Sequence, residues 1–468
     1  MIASNGDKTK LGTITSSEDY FYRWKDIYPE KYRDYTPPLG KERQQEILIQ
    51  GLLAPEILLD VIHNCTIFMV AEKKLIKVVC RYQQYRAMLK IIERLRDGST
   101  AMERSGVVWH TQGSGKSLTM IFAIRKIRSC DDLKDYKICL INDRTSLEEQ
   151  LSETANLTGE KVTVIKSSEE LKTKLATPSS NLNMVMIHKF QEHKEELSDY
   201  LTDALGVESV QEFATMDVVN DSDRIICMID EAHRSQGGDV GDNLFSALPN
   251  ATRLAFTGTP LITDRHSKKT WERFGGYIDK YRLQDAVVDD ATVQILYEGK
   301  TADTALNEKH EFDTKFEDLF ANRTDEEILA IKKKYGATGD IFEAEKRIEA
   351  ISKDLVKHYI DNILPNGFKA QVVCNSKMAA IHYKTYIDKA ITAEIEKRQS
   401  EPEPDQDLIK KIAFLKSAVV ISSDGTNEKA VITHARKYAH EIKAVENFKR
   451  DFNYDDPSKE LTGVGFLI

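Results

Sequence analysis

VVWHTQGSGKSLTM, residues 107–120, sets a short apolar run, a glycine-rich turn and the start of a helical pattern in that order. Gly113 and Gly115 stand where a backbone must turn tightly about an anion, because without a Cβ the amide N–H groups can point inward. A strand before such a turn and a helix after it make a phosphate cradle. The helix N-terminus adds partial positive charge, Lys116 reaches the β- and γ-phosphates, and the Ser117 hydroxyl ligates Mg²⁺. Gly113, Ser114, Gly115, Lys116 and Ser117 are therefore expected to hold ATP with Mg²⁺. The bland alternative is a glycine-rich strand-to-helix turn with an exposed lysine. One letter departs from the strict pattern G-x-x-x-x-G-K-[ST], which has glycine where this chain has His110.

Working outward, short apolar runs alternate with amphipathic segments: GVVWH, KICLIND (137–143), KVTVIK (161–166), NMVMIHKF (183–190), RIICMIDE (224–231) and RLAFTGTP (253–260). Strands apolar on both faces and separated by helices imply a parallel sheet covered on both sides, an α/β domain. Upstream, GLLAPEILLDVIHN and YQQYRAMLKIIERLRDG have helical spacing, the second ending on Gly98. Downstream, ATVQILYEG (291–299) predicts another strand. KDLVKHYIDNIL predicts a helix, and KAQVVCNS, KSAVVISSDG and LTGVGFLI open a second α/β domain.

A nucleotide site of this kind needs a second metal anchor at the end of a neighbouring strand. RIICMIDEAHRSQ supplies one: Asp230 would bind Mg²⁺ through water and Glu231 would orient or deprotonate the attacking water, with His233 and Arg234 behind. Acids at a helix start are the plain alternative. FTGTP follows with Thr257, Gly258 and Thr259, hydroxyls that are caps in many turns but that match the segment coupling hydrolysis to movement in helicase-type motors.

The 468 residues, 41% hydrophobic and 30% charged, suffice for two or three packed domains. Six cysteines are scattered without a CxxC pair, which predicts reduced, buried thiols rather than a zinc site. No long apolar run or secretory layout appears, so a cytoplasmic protein without a membrane is expected. The net charge of −9 argues against a wholly basic surface but permits a local basic groove for nucleic acid.

GSGKS, DEAH and TGT in this order resemble superfamily 2 helicases and translocases, whose looser loop pattern tolerates a residue other than glycine at the position of His110. WHTQGSGKSLTM, NDRTSLEEQL, DEAHRSQ, LAFTGTPL, FGGYIDKY, RYQQYRA and LLDVIHN narrow the resemblance to the restriction (R) subunit of type I restriction-modification enzymes. That resemblance implies a RecA-like ATPase domain and a second RecA-like domain. It also implies a subunit that pumps double-stranded DNA using ATP, with methylation (M) and specificity (S) subunits as partners. By position, Gln84 resembles the glutamine that reads adenine, with Gln83 adjacent as the alternative. Arg144 at the end of KICLIND, and Asn375, Ser376 and Lys377 in VVCNSKMAAIHY, fall where such motors touch the DNA backbone.

The expected division is a helical connector over 1–75, a first RecA-like domain over 76–300 and a second, incomplete one over 301–468. A nuclease segment is expected ahead of residue 1, and Glu18, Asp19 and Lys25 are read as surface charges, so no cleavage by this chain is predicted. The last helicase motifs are expected beyond Ile468, including an arginine whose loss costs on the order of 10³ to 10⁵ in rate. Another superfamily 2 helicase or remodeller, or a non-motor ATP-dependent scaffold, are the competing functions.

Overall fold

The computed structural model describes residues 1–5, 8–32, 43–71, 74–142, 162–190, 216–232, 239–260, 270–299, 345–423 and 428–468. They form two compact units, Met1–Leu296 and Tyr297–Ile468.

The first unit opens with β1 (Ile2–Ser4) paired antiparallel to β2 (Thr9–Leu11). Two helices follow, α1 (Gln44–Gly51) and α2 (Pro55–Asn64). The continuous helical spacing across 51–64 is thus broken in two. Pro55 starts α2 at the first helical position, where its missing N–H costs nothing. A hairpin of β3 (Thr66–Ala71) and β4 (Lys74–Val79) then intervenes, so the connector read as helical also carries strands. Helix α3 (Tyr82–Asp97) does end at Gly98, and α4 (Ala101–Arg104) leads into β5 (Gly106–His110) and α5 (Lys116–Ser129).

The remaining strands of the unit are β6 (Lys137–Asn142), β7 (Val162–Ile165), β8 (Leu182–Met186), β9 (Ile225–Asp230), β10 (Thr252–Thr257) and β11 (Tyr277–Tyr281). All seven strands from β5 onward form one parallel sheet in the order β11-β5-β10-β9-β6-β8-β7. Every residue of β6, β8 and β9 is buried, as a sheet covered on both faces requires. One layer packs Val108, Leu140, Met228 and Phe256 against α3 and α5. The opposite layer packs Val107, Ile141, Ile229 and Ala255 against the helix around Leu244 and Ala247. The expected α/β, RecA-like class of this unit is what the sheet displays. ATVQILYEG, however, forms no strand: residues 293–299 are irregular, with Val293, Leu296 and Tyr297 largely exposed. Period-2 apolarity makes a strand only where an edge is there to pair with.

Two expectations about side chains change. Lys25 is not a surface charge; it is drawn into an ion pair with Asp289 at 2.7 Å, where both side chains are mostly buried. The cysteines are free, four of them buried. They are nevertheless not scattered in space: Cys139 and Cys227 are register partners on β6 and β9, and the Cys80 N–H donates to the Cys65 carbonyl.

The second unit has its own core of Val356, Tyr359, Ile387, Ile412, Val419 and Phe466. Its described sheet has three parallel strands, β12 (Ala370–Gln371), β13 (Lys416–Ala418) and β14 (Val464–Leu467), with β14 in the middle. Helices Glu345–His358 and Lys377–Gln399 pack on it. Among the described residues of the chain, no helix is long and apolar enough to cross a membrane.

Candidate functional site

β5 ends at His110, and the chain wraps through Thr111–Gly115 into α5. Gly113 and Gly115 have φ of +80° and +83°, the left-handed region that glycine enters without steric cost. The Ser114 hydroxyl donates to the Thr111 carbonyl at 2.6 Å, and the Thr111 N–H donates to the Tyr281 carbonyl on β11 at 2.8 Å. These bonds hold the turn in shape before any ligand arrives. Lys116, the first residue of α5, is only 8% exposed, and among the described residues its ammonium has no ion pair. A buried cation without a counter-charge is costly unless an anion completes it.

Gln84 lies against this turn. Its Nε2 donates to the Gly115 carbonyl at 3.0 Å and its Oε1 accepts from the Arg81 N–H at 2.8 Å. The same Nε2 also donates to the Ser114 carbonyl at 3.5 Å, so one lone pair on Oε1 remains for a base edge. Gln83, the alternative, is fully buried in α3 with neither end of its amide hydrogen bonded among the described residues.

Asp230 and Glu231 come off the end of β9. Asp230 is 7% exposed. Glu231 has φ +46°, a left-handed conformation in a residue with a side chain, which costs on the order of 1–3 kcal/mol and persists only where the surroundings impose it. The next strand over delivers Thr257, Gly258 and Thr259. The Trp109 indole Nε1 donates to the Gly258 carbonyl at 3.2 Å, and the Thr259 N–H donates to the Thr257 hydroxyl at 3.2 Å. A Cβ on Gly258 would lie 2.9 Å from the Gln112 nitrogen, so this turn sits directly on the phosphate-type loop. Ser117 is half-buried in the first turn of α5. The structure thus brings Gln84, Gly113 to Ser117, Asp230, Glu231 and Thr257 to Thr259 to one edge of one sheet. His233, Arg234 and Arg144 lie outside the described residues.

The residue the sequence reading did not single out is Asp279. Its carboxylate, on β11, receives His110 Nε2 at 2.9 Å, Arg86 Nε at 2.9 Å and Lys90 Nζ at 2.8 Å, and Arg86 also reaches Asp26 at 2.8 Å. Burial alone would raise this carboxyl, but the hydrogen bonds from His110 and Arg86 outweigh it and hold it well below the usual carboxylate range. Burial pushes the fully enclosed His110 imidazole below its ordinary value, against the pull of Asp279. His110 is thus a neutral anchor tying the strand before the loop to the edge strand. FGGYIDKY carried Asp279 in view, but nothing local marks which strand will lie beside β5.

In the second unit, Asn375 is exposed at the head of helix Lys377–Gln399. The Ser376 hydroxyl caps that helix by accepting from the Ala379 N–H at 3.0 Å, and Lys377 donates to the Ser422 carbonyl and pairs with Glu428 at 3.2 Å. Both have structural duties that explain their residue types.

The family model for SWI2/SNF2 ATPases matches residues 83–329, from α3 through the whole parallel sheet and more than half of the chain. The chain belongs to the SWI2/SNF2 ATPase family. Among curated relatives, this SWI2/SNF2 ATPase is similar to the type I restriction enzyme HindI endonuclease subunit of Haemophilus influenzae. The two are 29% identical over 81% of this chain and 35% of that one. It is also similar to the type I restriction enzyme SsaAORF53P endonuclease subunit of Staphylococcus saprophyticus, 26% identical over 62% of this chain and 28% of that one. The resemblance read from HTQGSGKS and DEAHRSQ is therefore borne out. The SWI2/SNF2 ATPase chain spans about a third of the length of these relatives. A solved structure of the ATP-dependent Type ISP restriction-modification enzyme LlaBIII bound to DNA aligns over 85% of this chain and 28% of that one, with 13% identity and a TM-score of 0.38.

Proposed function

We propose that this SWI2/SNF2 ATPase is the motor portion of a type I restriction enzyme endonuclease subunit, which hydrolyses ATP to translocate double-stranded DNA alongside methylation and specificity subunits. The observation that carries the reading is the buried Lys116 at the head of α5, without an ion pair among the described residues, behind two left-handed glycines and on the sheet edge that also presents Asp230 and Glu231. These residues fit a magnesium nucleotide: inward N–H groups and a lysine for the phosphates, a hydroxyl on Ser117 and a carboxylate on Asp230 for the metal. Mg²⁺ supplies neutralisation of charge on the phosphate oxygens when bound.

In this reading Lys116 compensates the β- and γ-phosphates, and Gln84 holds the loop through its Nε2 while the remaining Oε1 lone pair meets the adenine edge. Glu231 accepts a proton from the attacking water or fixes its orientation. The turn of Thr257, Gly258 and Thr259 rests on the loop and receives the Trp109 hydrogen bond, which makes it the element that feels the state of the phosphates. His233 and Arg234 belong to the same coupling set. Arg144, Asn375, Ser376 and Lys377 are assigned to the DNA backbone. The division at 75 and 300 follows the same reading, with a cytoplasmic setting.

The test is the ATPase rate of the full-length subunit with duplex DNA or with RNA. Stimulation by duplex DNA is expected, and stimulation by RNA alone would overturn the assignment. Lys116→Ala should abolish nucleotide binding. Glu231→Gln should retain binding and lose hydrolysis; unchanged hydrolysis would remove Glu231 from the chemistry.

A further inference from the structure

The run KICLIN of β6 is buried throughout and carries a polar residue at each end: Lys137 donates to the Lys174, Leu175 and Thr177 carbonyls, whereas Asn142 is 1% exposed and, among the described residues, neither its Oδ1 nor its Nδ2 has a hydrogen-bond partner. Buried amides are satisfied in folded proteins with few exceptions, and an exception points to a water, an ion or a ligand as the missing partner. The register says where that partner would be. Ile141 pairs with Ile229 on β9, so Asn142 and Asp230 are the next residues out on neighbouring parallel strands. Side chains alternate along a strand, and Leu140 and Met228 pack in the layer that also holds Met120, Phe122 and Ile124 of α5. Asn142 and Asp230 therefore both fall on the sheet face covered by the helix that Lys116 begins. His110, two residues beyond the Gly106 to Val108 start of β5, falls on it too, since Val108 packs in the same layer.

We propose that Asn142 is a further residue of the nucleotide site, its amide hydrogen bonding the hydrated magnesium–phosphate group beside Asp230. The inference rests on the ATP-binding reading above and extends it by one strand. An amide suits the position because it can donate to a phosphate oxygen and accept from a metal-bound water at once, without adding a second negative charge next to Asp230. An apolar residue would satisfy the strand and the core equally well. The polar atoms have no use in the resting fold, so they are expected to act only when the ligand is present. Asn142 is on this account a ligand-contacting residue on the metal side of the nucleotide.

The experiment uses the full chain carrying Asn142→Leu, close in shape, and Asn142→Ala as a second variant in case the first misfolds. Affinity for a non-hydrolysable ATP analogue with Mg²⁺, and for ADP without Mg²⁺, is measured by calorimetry, and the thermal midpoint is measured without nucleotide. Both variants should lose at least about tenfold in affinity for the magnesium complex and less than about twofold for metal-free ADP. Asn142→Leu should melt no lower than wild type, because it removes an unsatisfied group. Affinity for the magnesium complex within twofold of wild type would overturn the proposal. So would an equal loss for metal-free ADP, or a Leu variant that melts several degrees lower, which would show the amide already partnered in the resting protein. Wild-type chain that fails to bind the analogue, or binds it equally after Lys116→Ala, would instead overturn the ATP-binding reading, a result the Asn142 variants alone cannot produce.

Discussion

Asp279 gathers His110, Arg86 and Lys90 on one buried carboxylate, so its removal leaves a guanidinium and an ammonium without their main counter-charge. Breaking a buried pair from one side costs about 3–5 kcal/mol. Asp279→Ala is therefore expected to lower stability to urea by that order, while Arg96→Ala, whose partner Asp132 is half exposed, should cost less than about 1 kcal/mol. The same cluster sets a pH dependence. His110 has a folded-state pKa below its unfolded value, so the unfolded chain takes up the proton first as pH falls. The stability contributed by the neutral ring is complete above about pH 6.5 and declines below it. Asp279, held low by its partners, adds a second loss that begins below about pH 4. Thermal midpoints between pH 5 and 8 should fall less steeply for His110→Gln than for wild type. Identical slopes would show that His110 does not titrate with unfolding.

At the scale of elements, the phosphate-type loop is clamped between α3, β11 and the turn after β10, and two glycines report on the fit. Alanine at Gly115 meets a positive φ and would place its Cβ 2.4 Å from the Gln84 Nε2, whereas alanine at Gly258 would press on the Gln112 nitrogen at 2.9 Å. Gly258→Ala should weaken nucleotide binding by about tenfold, roughly 1.4 kcal/mol, with little change in the urea midpoint. A lower midpoint with unchanged binding would make the turn structural only. These clamps also show which parts were legible beforehand. The six runs from GVVWH to RLAFTGTP became strands of the sheet, because residues buried on both faces need no partner to reveal them. The loop and the DEAH acids were legible because the residues of each motif are neighbours in the chain. Asp279 was not, since its meaning comes from lying across from His110, 169 residues away. Pairs such as Cys139 with Cys227 were hidden likewise, because strand order, rather than spacing, brings them together. ATVQILYEG failed in the opposite direction, with the right pattern and no edge to pair with.

For the molecule as a whole, two units with separate cores divide the duties unequally. Every residue proposed for the phosphates and the metal lies in Met1–Leu296, while Asn375, Ser376 and Lys377, proposed for the DNA backbone, lie in Tyr297–Ile468. A ligand that binds only the folded state stabilises it by about 2.7 kcal/mol at a hundred times its dissociation constant. Opening reactions that expose the site must overcome that increment, and those confined to the other unit do not. Amide hydrogen exchange of the chain with a saturating magnesium nucleotide should therefore slow in β5, β9 and β10 and at the starts of α3 and α5. Exchange in β13 and β14 should stay within about twofold of the ligand-free rate. Equal protection of β13 and β14 would mean that the nucleotide is held by residues of both units. The assignment of the phosphate site to the first unit alone would then fail.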